Sequence, residues 1–263
     1  MTIATSDSGG GAGIQADLKA FARCGVHGTS AIVALTAQNT HEVVSVETLP
    51  RQFILDQVRA VADDIGADAV KIGMLFDRPT IEAVAEALDL VGEAPVVVDP
   101  VMVAESGAVL LKPEAKRALI ELILPRAAVA TPNLAEAREL TGLGKDASPE
   151  ELARAVVALG PGAAVVTGGH AEEGADRYFD GERAERIEGP RHPGGASHGS
   201  GCTHSSALAA RLALGDEPLE AARAARRIAA EAVANGLRDI GEGAGPVDVL
   251  GTVKPALENG RQA

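Results

Sequence analysis

"TIATSDSGGGAGIQADLKAFARCG", residues 2–25, passes from a short β-branched run through a cluster of glycines into an amphipathic segment, and stops at another glycine. Within it Ile14, Leu18 and Phe21 recur at i, i+4 and i+7, the period of one helix face, and Gly25 stands where a C-cap belongs. A strand, a glycine loop and a helix make the first half of a βαβ unit, and the alternation continues downstream. Residues 29–37, 68–73, 94–99, 127–131 and 163–168 are short apolar runs that read as buried strands. Helical periodicity covers 51–64, 79–90, 114–123, 133–141, 149–159, 203–214 and 217–236. The pattern predicts an α/β fold with a mostly parallel central sheet and helices on both faces, whose ligands sit beyond the carboxyl ends of the strands. Two segments, 41–49 and 176–189, read as strands without intervening helices, the second as a hairpin around Asp180-Gly181; they are expected at a sheet edge or in a small flap. No linker interrupts the pattern, so a single domain over residues 1–263 is expected.

Composition narrows the partners. The chain is 46% hydrophobic and carries a formal net charge of -13, with no basic tract, which argues against nucleic acid and anionic membrane surfaces. Aromatic residues make up only 2%, too few for base-stacking platforms. The two cysteines, Cys24 and Cys202, lie far apart and outside any C-x-x-C spacing, so neither a disulfide scaffold nor a zinc site is expected, and a reducing cytoplasm is the expected compartment. An acidic chain can still bind a phosphorylated ligand through backbone N–H groups, a helix N-terminus or a metal ion.

Four loops that follow strands, and one that opens a helix, carry the chemistry. In "TSDSGGGAGIQAD" (5–17) the glycines let backbone approach a ligand, or simply pack helix against sheet; no G-K-[ST] follows, so it is not a Walker A loop. In "TAQNT" (36–40) the Gln38 amide can donate and accept at once, as a ring with an exocyclic amine requires, or merely end a strand. Asp99, closing the apolar run of "VVVDPVMVAESG" (96–107), can hold a hydrated cation or steer a proton, or shape the turn before Pro100. In "TPNLAEA" (131–137) Asn133 and Glu136 share a helix face, which suits a magnesium–phosphate outer shell and equally a capping box. Lastly, "HGSGCTHSSALAA" (198–210) places Cys202 before a helix predicted to start near Thr203. There the helix N-terminus makes an anion hole and should depress the thiol pKa, fitting Cys202 as base or nucleophile; the alternative is a small buried cap.

Taken together, "ATSDSGGGAGIQADLKAF" (4–21), "ALTAQNT" (34–40), "KIGM" (71–74), "VVVDPVMVAESGAVLL" (96–111), "TPNLAEA" (131–137) and "HGSGCT" (198–203) resemble the hydroxymethylpyrimidine/phosphomethylpyrimidine kinases of thiamine biosynthesis, within the ribokinase-like superfamily. The resemblance runs in order along nearly the whole chain and implies a ribokinase-like three-layer α/β/α fold and a homodimer. It implies phosphorylation of 4-amino-5-hydroxymethyl-2-methylpyrimidine by ATP with Mg2+, and then of the monophosphate to the diphosphate. By that resemblance Gln38 would bond the aminopyrimidine, Met74 and Val101 would lie against its ring, and Asp7 and Gly13 would belong to the same pocket. Asn133, Glu136, Thr167 and Gly169 would serve the nucleotide, and Asp99 and Glu136 the magnesium ion. Gly199, Ser200, Gly201 and Cys202 would receive the phosphoryl group, with Cys202 as base.

Three departures from the family pattern stand out. Thr5 replaces a glycine beside the pocket, Ser200 replaces threonine in the phosphoryl loop, and Thr167 replaces a lysine that normally faces the nucleotide phosphates. A pyridoxal-type kinase of the same fold, and a pyrimidine-binding regulatory protein with weak turnover, are the alternatives these departures leave.

Overall fold

In the computed structural model, which describes residues 1–104, 107–168, 174–194 and 196–252, the apolar runs become strands of one sheet. These are β1 (Thr2–Asp7), β2 (Ser30–Gln38), β3 (Val43–Thr48), β4 (Val70–Ile72), β5 (Val96–Val98), β6 (Val129–Ala130), β7 (Ala163–Val166), β8 (Asp176–Phe179) and β9 (Ala184–Ile187). Their order is β3-β2-β1-β4-β5-β6-β7-β8-β9. β2, β1, β4, β5, β6 and β7 run parallel, whereas β3 joins β2 antiparallel and the β8–β9 hairpin joins β7 antiparallel. The two segments without helices therefore form the two sheet edges.

Chirality fixes where the helices lie. A right-handed crossover from β1 to β2 steps one way along the sheet, and those linking β4, β5, β6 and β7 step the other way, so the connecting helices fall on opposite faces. α1 (Gly13–Arg23), α7 (Ser200–Ala213) and α8 (Pro218–Ala234) cover one face, where Phe21, Leu208 and Leu219 meet Val97, Val129 and Val165. The opposite face receives Ile3, Val33, Ile72, Val98 and Val166, packed by α2 (Arg51–Ala62), α3 (Arg78–Ala87), α5 (Leu134–Thr141) and α6 (Pro149–Val157). Neighbours along β5 thus enter different cores, the period-2 signature of a sheet buried on both sides.

Most predicted helices appear within a few residues of their expected bounds. The segment predicted as a helix over 114–123 is instead a mixture: a 3-10 turn at Pro113–Ala115, α4 (Lys116–Ala118), a π turn at Leu119–Ile123 and a second 3-10 turn at Leu124–Arg126. Pro125 offers no N–H to extend an α ladder there. The helix predicted from Thr203 begins at Ser200, which draws Cys202 into its first turn. No helix among the described residues is long and apolar enough to cross a membrane.

Candidate active site

Because β1 sits where the strand order reverses, the loops leaving β1 and β4 diverge and open a crevice at the carboxyl edge of the sheet. A cavity of about 780 Å³ lies there. Asp7 reaches it from the end of β1, Gln38 from β2, Met74 from beyond β4, and Asp99 and Val101 from beyond β5. Asn133 and Glu136 come from the start of α5, Thr167 follows β7, and Gly13 opens α1. Gly199, Ser200, Gly201 and Cys202 close the ring at the start of α7. The structure thus gathers every residue expected at the site except Gly169, which lies outside the described residues.

At one end the loop after β1 winds around Asp7. Its Oδ1 accepts from the Gly9 N–H at 2.7 Å, and Oδ2 from those of Gly11 and Ala12 at 3.0 and 2.8 Å. His198 Nε2 stands 3.2 Å from the same Oδ2. Burial alone raises this carboxyl, but the His198 ring and the N–H groups of Ala12 and Gly9 outweigh it and hold Asp7 below the usual carboxylate range. Asp7 therefore serves first as the anchor of residues 8–12. The ends of the Gln38 amide meet Thr36 Oγ1 at 3.1 Å and His198 Nε2 at 3.4 Å. Thr5, the bulkier residue at the pocket edge, points its hydroxyl at the Met74 carbonyl, 3.0 Å away.

The middle of the cavity belongs to Cys202. The sequence predicts a depressed thiol pKa here, and the structure corrects this: burial pushes it up to about 12, and the nearby carboxylates of Asp17 and Asp99 add to the rise, while Lys71 and the Gly13 N–H only partly offset them. Gly13 and Gly199 both have positive φ, 56° and 83°, and a side chain on either would run into backbone, the Thr5 carbonyl for Gly13 and the Gly11 carbonyl for Gly199. The glycine loop and the α7 loop are thereby interlocked.

Beneath Cys202 lies a buried ion pair. Lys71 Nζ donates to Asp17 Oδ1 at 2.8 Å with neither side chain exposed, and Asp17 also accepts from Thr2 and Ser206 at 2.7 Å each. Burial works against the lysine charge, but Asp17, Cys202 and Asp99 outweigh it and raise the Lys71 pKa.

The other end is acidic. Asp99 and Glu136 are both buried, and burial raises both; the Asp99 carboxylate pushes Glu136 further, to about 8. Ser205 donates to Asp99 Oδ2 at 3.0 Å. The capping box is real: Asn133 Oδ1 accepts from the N–H groups of Ala135 and Glu136, and Glu136 Oε2 accepts from the Asn133 N–H at 2.9 Å. Capping does not remove these side chains from the cavity, since both still line it. Beyond them Asp176, His204 and Arg226 form a buried charged group, with His204 Nε2 3.4 Å from Asp176 Oδ2.

Sequence reasoning gave no role to His198, to the Lys71–Asp17 pair or to the Asp176 group. A lysine inside the apolar run "DAVKIG" was the available signal for Lys71, and Asp17 breaks the apolar face of α1 in the same way. His198 stands inside the quoted glycine motif, but its partners come from β1 and β2, far away in sequence.

The family model for phosphomethylpyrimidine kinase matches residues 7–248. A hydroxymethylpyrimidine/phosphomethylpyrimidine kinase of Rhizobium meliloti is 47% identical over 253 residues, 94% of this chain and 95% of the relative. One from Bacillus subtilis is 42% identical over 266 residues, 99% and 98% of the two chains. Among solved structures, a phosphomethylpyrimidine kinase from Clostridium difficile aligns with a TM-score of 0.76 at 41% identity, covering 86% of this chain and 94% of that one. A Bacillus subtilis pyridoxal kinase in complex with ADP aligns at 0.86 with 38% identity, over 94% and 95%. The fold with its cavity at the strand reversal, the ordered motifs around that cavity and these likenesses agree: the chain belongs to the phosphomethylpyrimidine kinase family.

Proposed function

We propose that this protein transfers the γ-phosphoryl group of ATP to the hydroxymethyl group of 4-amino-5-hydroxymethyl-2-methylpyrimidine, and then converts the monophosphate to the diphosphate, for thiamine biosynthesis. The observation that carries the reading is the meeting, in one cavity, of an amide at one end, a thiol in a helix-opening glycine loop at the middle and paired carboxylates at the other end. Gln38 pairs with the aminopyrimidine edge while Met74 and Val101 flank the ring. The N–H groups at the start of α7 receive the transferring phosphoryl group. Phosphoryl transfer proceeds through a loose transition state, so the acceptor hydroxyl keeps its proton until late; Cys202 takes that proton only in its minor thiolate form, which nearby Lys71 favours, and returns to the neutral thiol as transfer completes.

Two buried carboxylates whose pKa values burial raises, with Asp99 pushing Glu136 further, are a hard-oxygen donor set that a divalent cation would neutralise, so Asp99 and Glu136 fit magnesium. When bound with ATP, the ion supplies charge neutralisation at the phosphates. Thr167 supplies no cation, and Arg191 and Arg226 at the same end of the cavity take over that charge. The compartment is cytoplasmic, in keeping with two free cysteines, and the assembly is a homodimer, in keeping with Leu35 and Val44 exposed at the β2–β3 edge.

A coupled ATP-consumption assay with the hydroxymethylpyrimidine, chromatography of products and a parallel pyridoxal reaction tests the reading. Mono- and diphosphate appearing in succession are expected. Phosphorylation of pyridoxal alone, or pyrimidine binding without turnover, overturns it.

A further inference from the structure

Asp99 and Glu136 are held in different ways. Glu136 Oε2 accepts from the Asn133 N–H at 2.9 Å and Oε1 from the Met102 N–H at 3.4 Å, so backbone orients that carboxylate. The main chain of Asp99 is fixed on both sides: its N–H donates to the Ile72 carbonyl at 2.9 Å, and its carbonyl accepts from the Val101 N–H at 2.8 Å. Its side chain meets a hydroxyl instead. Ser205 Oγ stands 3.0 Å from Asp99 Oδ2, 3.0 Å from the Gly201 carbonyl and 3.2 Å from the Cys202 carbonyl. Ser205 is completely buried and has one proton for these three acceptors. A cation ligand must be ionised, and an ionised carboxylate accepts more strongly than a carbonyl, so that proton goes to Asp99. A Cβ added at Gly201 would stand 4.0 Å from the same Oδ2, which places Asp99 against the first turn of α7.

We infer that Ser205 is a positioning residue for the divalent cation: its hydroxyl commits Asp99 Oδ2 to α7, leaves Oδ1 to meet the ion, and joins the cation ligand to the phosphoryl loop. The inference rests on the assignment of Asp99 and Glu136 to magnesium above. A carboxylate already turned by a donor loses less rotamer freedom when an ion binds, and the donor stabilises the charge on the oxygen the ion does not take. Ser205 lies one turn beyond Gly201 on the same helix, so the residue that orients Asp99 also bonds the loop expected to receive the phosphoryl group. Removing the hydroxyl frees the Asp99 side chain and takes a donor from a buried oxygen, and both effects weaken the hold on the ion.

The test titrates Mn2+, which takes the same hard-oxygen ligands as magnesium and is read directly by electron paramagnetic resonance, into the full chain as wild type, Ser205→Ala and Asp99→Asn. Calorimetric affinity for ADP without any cation and the Mg2+ dependence of turnover are measured beside it. Ser205→Ala is expected to raise the Mn2+ Kd by about tenfold or more and the Mg2+ concentration for half-maximal turnover in parallel, while cation-free ADP affinity stays near wild type. Alanine is a strong helix former, and Ser205→Cys, close in size with only a weak donor, carries the same expectation should Ser205→Ala not fold. Wild-type Mn2+ affinity in these variants, or an equal loss of Mn2+ and cation-free ADP affinity, overturns the inference, because a merely supporting role gives the second result. If Asp99→Asn weakens Mn2+ binding and Ser205→Ala does not, the inference falls and the magnesium assignment stands. If neither substitution weakens it, or wild type binds no Mn2+, the magnesium assignment falls as well.

Discussion

Cys202 lies near Lys71, Asp17 and Asp99, and its thiol keeps its proton up to about 12, so about one thiol in ten thousand is ionised at pH 8. In a Cys24→Ser background, iodoacetamide should therefore modify Cys202 far more slowly than a free thiol at pH 8, with a rate rising about tenfold per pH unit up to pH 10. A plateau below pH 8 would mean that the helix end, and not burial, governs the sulfur. Cys202→Ala should lower kcat by about a hundredfold or more while the calorimetric affinity for the pyrimidine stays near wild type, since the sulfur meets the reacting hydroxyl and not the ring. Equal loss in binding and turnover would make Cys202 a packing residue. The position of Cys202 was legible in its glycine motif. Its proton affinity was not, because that depends on Asp17, Lys71 and Asp99, contributed by α1, β4 and the end of β5.

At the scale of elements, the carboxyl ends of the parallel strands explain why residues scattered from 7 to 167 reach one cavity, and this much follows from strand–helix alternation alone. The mixed segment at 113–126 was not legible, since its apolar spacing is helical and only the backbone geometry forced by Pro125 redirects it. Nor was the start of α7, where serine, glycine and cysteine are weak helix formers and Gly199 in a left-handed conformation sets the boundary. Gly199→Ala combines that conformation with a collision against the Gly11 carbonyl. It should lower stability by about 1–3 kcal/mol, read as a fall of several degrees in Tm, and abolish most activity because the two loops can no longer seat together. A variant with wild-type Tm and turnover would show that the loops move independently.

Across the whole molecule, Thr2, Asp17, Lys71 and Ser206 tie β1, α1, β4 and α7 together through charge in a place where apolar packing would be expected. Lys71→Met leaves a buried carboxylate unpaired and should cost about 3–5 kcal/mol by urea denaturation, whereas Lys71→Met with Asp17→Asn should recover most of the loss. A single substitution as stable as wild type would remove the pair from the fold's support. The Lys71 pKa is raised, so the pair's contribution is complete below the ordinary lysine pKa and fades only as pH climbs through the raised value; Tm between pH 6 and 9 should not change on its account. Both cores line the same sheet, so calorimetry should show one unfolding transition, and two would divide the chain into separate domains.

The contact between Asp7 and His198 spans 191 positions of the chain, and the Gly11–Gly199 interlock spans nearly the same interval. A ribosome delivers β1 at the outset and the α7 loop late, so the nascent chain can pair all of its parallel strands while the catalytic half of its site is still inside the exit tunnel. The unfinished enzyme therefore lacks the loop that receives the phosphoryl group and cannot turn over. Competence arrives in one late step, when the first loop made meets one of the last.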